Sequence, residues 1–503
     1  MTEKVKKGFK MPSSFTVLYL IIILMAILTW IVPAGQYKVD DAGNLLAGTY
    51  QQVEANKQGL YEVFMAPIRG MIGTKGANPT PGAIEVSFFI LMVGGFLGVV
   101  TETGALDAGL GAVINRFKGK EKMLIPFLMF LFCLGGSTYG MAEETMAFYP
   151  LIIPVMVAVG FDTITAVSIV LIGSQVGCLA STVNPFATGV ASDAAGISIG
   201  DGIIWRFLFF IVMYAISTFY VYSYASKVEK SPEKSYVFAT READIEHFRL
   251  KNEGELTLSK SQKSVIWLFA LTFIIMVLSL IPWTDLNKNF TLFENLNNFL
   301  TGLPILGTIF GHMEPLGTWY FQEITMLFVM MAILIGIMTR MEESRFIKVF
   351  INGVADLMSV ALICAVARGI QVIMNDGMIT ATILNWGEKG LAGLSSQLFI
   401  ALTYIFYLPM SFLIPSTSGL AGATMGIMGP MGEFAGVPAH LVVTAFQSAS
   451  GLLNLITPTS GVVMGALAIG RIELGTWWKY MAKLIVVIFL TSLALLVFAS
   501  LFS

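Results

Sequence analysis

Glu143 and Glu144 are the only charged residues between Met123 and Phe161. A carboxylate held in so apolar a setting is costly, and it normally marks a substrate, ion or proton pathway. Pairing with a structural Arg or Lys is the alternative. Adjacent residues on a helix point in different directions, so one of the two is expected to face a site. Small and hydroxylated residues precede the pair: Gly135, Gly136, Ser137, Thr138 and Gly140. Glycines there permit a tight turn and close backbone approach. The hydroxyls of Ser137 and Thr138 could bind a substrate or satisfy the turn's own backbone. The same residue types recur at Ser416-Thr417-Ser418-Gly419, but Gly422 and Ala423 stand where the acids would be.

Two further runs, Ser181-Thr182-Val183-Asn184-Pro185 and Asn454-Leu455-Ile456-Thr457-Pro458, interrupt long uncharged stretches. Proline removes a backbone donor and clashes with the preceding turn, so a helix should break at each. The freed carbonyls and the N-terminus of the next half-helix then form a ready site for charged substrate groups, and Na⁺ could bind there. A kinked helix whose Ser and Thr bond locally is the plainer alternative. Ser181, Asn184, Asn454 and Thr457 thus join Ser137, Thr138, Glu143, Glu144, Ser416 and Thr417 as candidate ligands. Arg368 lies inside an apolar run and needs a partner, either a substrate carboxylate or an acid such as Glu143. Asn375, Asp376 and Asp193 are expected at the membrane interface. His247, His312 and His440 are isolated, and Cys133, Cys178 and Cys364 each lie alone among apolar residues. They give no nucleophile–base arrangement, metal-ligand spacing or disulfide framework. Neither an enzyme nor a bound cofactor is expected.

Only 12% of the 503 residues are charged and 56% are hydrophobic, which leaves too little polar surface for a soluble protein of this size. The net charge of −2 gives no sign of nucleic-acid binding. Apolar runs near 15–33, 83–101, 163–196, 203–225, 264–283, 321–339, 358–375, 440–470 and 476–502 approach or exceed spanning length. The first of them reads as a retained membrane helix rather than a cleavable signal. Runs 123–158 and 397–431 are broken by Gly, Ser and Thr, with about a dozen apolar residues on either side, the pattern of a re-entrant hairpin. Gly59 to Ile72 is amphipathic and is expected to lie along the outer membrane surface.

The hydrophilic stretch Ser226 to Lys263 divides the chain into a first membrane repeat (1–225), a charged cytoplasmic linker (226–263) and a second repeat (264–503). Ser137 matches Ser416 and Pro185 matches Pro458, so corresponding residues stay 273 to 279 positions apart, in one order. Lys4, Lys6, Lys7 and Lys10 place the N-terminus in the cytoplasm. Arg116, Lys118, Lys120 and Lys122, then Arg340, Arg345 and Lys348, then Arg471, Lys479 and Lys483 give the other inner ends. These clusters agree only if one of the runs 264–283 and 321–339 lacks a counterpart and inverts the remainder of the chain. The fold class expected is an all-α polytopic membrane protein of two inverted repeats with re-entrant hairpins and broken helices.

The start Lys7-Gly8-Phe9-Lys10-Met11-Pro12-Ser13-Ser14, the run GCLASTVNPFATG at 177–189, ARGIQVIMNDGMITATIL at 367–384 and LNLITPTSG at 453–461 resemble the YfcC-type branch of the anaerobic C4-dicarboxylate carrier family. The similarity covers essentially the whole chain. Within that branch the sequence is similar to the bacterial arginine/ornithine antiporters. The resemblance implies the ion-transporter superfamily fold: a scaffold domain, a mobile transport domain moving as an elevator, and a homodimer in the bacterial cytoplasmic membrane. It also implies that hydroxyl and amide side chains at the hairpin tips and breaks bind the substrate. The first tip has Ser-Thr where the superfamily pattern is Ser-Asn-Thr. Beside a guanidinium or ammonium the Glu pair attracts, whereas beside an anion it repels. The expected function is therefore exchange of basic amino acids, arginine for ornithine. The rivals are a Na⁺- or H⁺-coupled C4-dicarboxylate or organic-anion transporter and the membrane subunit of an ion-pumping decarboxylase.

Overall fold

The structure is a computed structural model describing residues 14–39, 45–46, 48–75, 80–105, 121–138, 140–248, 259–281, 283–286, 289–304, 307–308 and 311–502. Lys4, Lys6, Lys7, Lys10, Arg116, Lys118 and Lys120 lie outside the described residues.

Helices dominate, since in hydrocarbon a helix lets one segment satisfy its own backbone. Among the described residues, six are long and apolar enough to cross a bilayer: Ile84–Glu102, Ile203–Lys230, Phe321–Met338, Met358–Asp376, Ser396–Leu413 and Leu474–Ala499. Ser14–Ile31 adds a further apolar helix of 18 residues. Large apolar side chains such as Leu20, Ile27, Phe88, Phe207, Phe219, Trp267 and Val486 stand exposed, as a lipid-facing surface requires. Among the described residues the only strands are Gly35–Gln36 and Gln51–Gln52, paired antiparallel with Gly35 opposite Gln52.

The inverted repetition is visible in the packing. Helix Leu60–Ile72 precedes Ile84–Glu102 but packs on Met358–Asp376. Helix Glu343–Asp356 precedes Met358–Asp376 but packs on Ile84–Glu102. In the same crossed manner, Ser14–Ile31 packs on Met358–Asp376, and Phe321–Met338 packs on Ile84–Glu102. Each repeat completes the other. The unmatched span is therefore Lys260–Leu280, which packs on Phe321–Met338.

Glycines make both crossings possible. A Cβ on Gly94 would stand 2.3 Å from the Gly353 carbonyl oxygen, and one on Gly70 would stand 2.4 Å from that of Ala365. Small residues at such crossings let backbones touch. Gly353→Val is expected to destabilise the fold by about 3 kcal/mol or more, the upper range for overpacking, because the obstacle is backbone. The readout is a lowered thermal midpoint in detergent. Gly422→Ala is the control, since a Cβ at Gly422 meets nothing within 4 Å.

Leu60–Ile72 leaves Leu60, Tyr61, Phe64, Ile68 and Ile72 exposed while Arg69 pairs with Asp376 at 2.9 Å. Asn375 donates to Thr80 Oγ1 at 3.0 Å. At the opposite end of the helices, Arg345 pairs with Glu102, Lys122 with Glu229, and Arg471 with Asp244 at 3.8 Å. The polar stretch after 225 begins inside helix Ile203–Lys230 and is then tied down. Ser235 and Tyr224 both donate to Asp162 Oδ2, at 2.6 and 2.5 Å.

Candidate functional site

The first hairpin has arms Leu124–Thr138 and Tyr149–Ala158, of 15 and 10 residues. At 1.5 Å per residue these reach about 22 and 15 Å, short of a hydrocarbon core of about 30 Å. The second hairpin is longer than expected, with arms Ser396–Leu413 and Thr417–Phe434 of 18 residues each. The reason is local. Ser416 caps the second arm by accepting from the Gly419 amide, so the Ser/Thr/Gly run becomes its first turn rather than a loop.

Both expected breaks are present. Helix Thr163–Leu179 stops, Pro185–Gly189 forms a wide turn, and Val190–Ala194 resumes. Asn184 Oδ1 accepts from the amides of Phe186 and Ala187 at 2.8 and 3.1 Å, and its Nδ2 donates to Gly136 O at 3.3 Å. Gly140 makes room for it: its φ is +81°, and a Cβ there would stand 2.6 Å from Asn184 Oδ1. In the second repeat Ala439–Leu453 stops and Gly461–Ile469 resumes, with Ser460 as cap. The carbonyls of Leu455 and Ile456 accept from the indoles of Trp477 and Trp478 at 2.9 and 2.8 Å. The breaks are also stitched together, since Gln447 donates to Ser181 O at 2.9 Å and accepts from Thr188 at 2.8 Å. Asn184→Ala would strand the buried Ala187 amide and the part-buried Phe186 amide. It is expected to cost about 1–3 kcal/mol, seen as a lower melting temperature with the fold retained.

Hairpin tips and breaks converge on a cavity of about 340 Å³. Seven of the candidate ligands line it: Glu143, Glu144, Asn184, Arg368, Ser416, Thr417 and Asn454. Both glutamates reach it, contrary to the expectation that one would point away. They sit in the first turn of the tight helix Glu143–Ala147, immediately after the non-helical residues of the tip, and both line the cavity. Glu144 is buried and its Oε2 accepts from the Ala142 amide at 3.0 Å, whereas Glu143 is half-buried. Among the described ion pairs within 4.0 Å, Arg368 is joined to neither.

The other four candidates are not among the cavity's lining, and they bond to the backbone and neighbouring hydroxyls. Ser137 Oγ accepts from the Thr182 amide and lies 3.0 Å from Thr182 Oγ1. Thr138 donates to Leu134 O at 2.8 Å. Ser181 pairs with Thr188 at 2.5 Å, and Thr457 with Thr459 at 2.7 Å. The cavity also has walls not expected from the sequence, namely Gln175, Phe186, Tyr320 and Glu85. Gln175 had a usable signal. It is the lone side-chain amide in the uncharged segment Thr163–Leu179, with Gln447 in the matching segment of the second repeat.

The cavity wall carries both signs of charge. Glu143 and Glu144 come from the first hairpin. Arg368 lines it too, as do the N-termini of Thr417–Phe434 and Gly461–Ile469, which present amides and positive dipole ends. Such a site suits a small solute that carries both signs of charge.

Residues 11–501 match the family described as the C4-dicarboxylate anaerobic carriers. The chain belongs to that family. It is a membrane transporter, not an enzyme. An uncharacterised protein of Haemophilus influenzae is 29% identical across all of this chain and 99% of its own. A protein of Escherichia coli K12, YfcC, provisionally named a basic amino acid antiporter, is 27% identical over 99% of this chain and 98% of its own. Two solved transporters are more distant. MtrF of Neisseria gonorrhoeae, an antimetabolite efflux pump, covers 97% of this chain and 95% of its own at 16% identity and a TM-score of 0.44. YdaH of Alcanivorax borkumensis covers 97% and 98% at 14% identity and a TM-score of 0.43. This carrier thus has full-length relatives and a small cavity lined by both signs of charge.

Proposed function

We propose that this carrier exchanges basic amino acids, arginine for ornithine foremost. The observation that carries the proposal is the acidic pair on one wall of a cavity whose other walls hold Arg368 and two helix N-termini. A basic amino acid has the matching charges. Its side-chain cation meets Glu143 and Glu144, and its α-carboxylate meets Arg368 and the amides behind Ser416 and Ser460. A dicarboxylate would bring two negative charges beside two carboxylates, which weakens that rival. The provisional name of YfcC agrees with the reading. Exchange of like-charged substrates needs no ion gradient in principle. Na⁺ at the helix breaks is compatible with the reading but not required by it.

The same proposal has the protein as a homodimer in a bacterial cytoplasmic membrane, N-terminus inside, with the hairpins and broken spans moving as an elevator against the remaining helices. A thermal-shift screen of the purified protein separates the readings. Arginine and ornithine are expected to raise its melting temperature and succinate to leave it unchanged. The reverse pattern would reject the proposal.

A further inference from the structure

One wall of the cavity is aromatic and joins two distant parts of the chain. Phe186 belongs to the turn at the first break, and Tyr320 precedes the span Phe321–Met338. Their ring centroids are 5.3 Å apart at an interplanar angle of 38°, and Tyr320 in turn contacts Phe321 at 4.4 Å. Both backbones are fixed. The Phe186 amide donates to Asn184 Oδ1 at 2.8 Å, and the Tyr320 amide donates to Glu323 at 2.9 Å. The two rings line the same cavity as Glu143 and Glu144.

Centroids 5.3 Å apart leave no gap for a flat group between the rings. Stacking on both faces at once would need roughly 7 Å, two contact distances of about 3.5 Å. The pair is a shelf, not a sandwich. A guanidinium is planar and weakly hydrated and stacks on aromatic faces, while an ammonium is compact and strongly hydrated. We propose that Phe186 and Tyr320 form a shelf on which the guanidinium of arginine stacks while Glu143 and Glu144 bind its edge. The cavity thereby prefers arginine to ornithine and lysine. This inference rests on the reading of the site as one for basic amino acids and adds what tells them apart.

The test is equilibrium binding of arginine, ornithine and lysine to the purified full-length protein and its variants. Phe186→Leu and Tyr320→Leu are each expected to weaken arginine about fivefold to thirtyfold, the range of a cation–π contact. Ornithine should weaken by less than about threefold. Phe186→Tyr and Tyr320→Phe keep the rings and should keep the arginine-to-ornithine ratio. An unchanged ratio in both leucine variants would overturn the shelf while leaving the basic amino acid reading intact. Independently of any variant, the unsubstituted protein must bind arginine more tightly than lysine, and equal affinities would also overturn it. If the unsubstituted protein binds none of the three, the underlying reading fails and the shelf with it.

Discussion

Glu143→Gln is expected to lower arginine affinity by about thirtyfold or more while leaving the melting temperature of the empty protein within a few degrees of its original value. Removing one partner of a desolvated charge pair costs about 2–5 kcal/mol, and each 1.4 kcal/mol is a factor of ten. Glu143 is half-buried at the cavity, so its carboxylate is set to meet a substrate cation more than to hold the fold. Glu144 differs, because it is buried and accepts from the Ala142 amide. Glu144→Gln should therefore lower binding and loosen the hairpin tip together. Uptake of labelled arginine and a thermal melt on each variant separate the two roles. Undiminished transport in both variants would remove the acidic pair from the mechanism.

Arg368→Gln is expected to weaken arginine by about tenfold to a hundredfold, the worth of a hydrogen bond to a charged group. It should do so by losing the α-carboxylate. Agmatine, which is arginine without that carboxylate, provides the check. The unsubstituted carrier should bind arginine well above agmatine, and Arg368→Gln should erase most of the difference. Had Arg368 been tied to Glu143, both ligands would suffer alike, but among the described ion pairs within 4.0 Å none joins the two. Equal losses for arginine and agmatine would return Arg368 to a structural role.

The architecture was legible because membrane burial writes itself plainly. Spanning runs, basic ends and two proline breaks in register are all one-dimensional signals, and the breaks at Asn184 and Asn454 stand where they pointed. The asymmetry at Glu143 and Glu144 was legible for the same reason, since a charge in an apolar stretch is conspicuous. The destination of individual hydroxyls was not. Ser137, Thr138, Ser181 and Thr457 share residue type and neighbourhood with Ser416 and Thr417, and all six bond to backbone or to other hydroxyls, yet of these six only Ser416 and Thr417 line the cavity. Which way a Ser or Thr points depends on the turn geometry, and that depends on contacts from the other repeat, such as Gln447 reaching Ser181 O. Tyr320 escaped notice because it stands just before its span and at neither a hairpin tip nor a break, and only the folding of Phe321–Met338 against Ile84–Glu102 brings it to the cavity.

The most direct measurement is counterflow in proteoliposomes that hold the purified protein and no imposed ion gradient. The account predicts that labelled arginine enters vesicles loaded with ornithine and stays out of vesicles loaded with buffer or succinate. It further predicts that Glu143→Gln abolishes the entry. Arginine excluded from ornithine-loaded vesicles, with labelled succinate entering succinate-loaded ones, would contradict it.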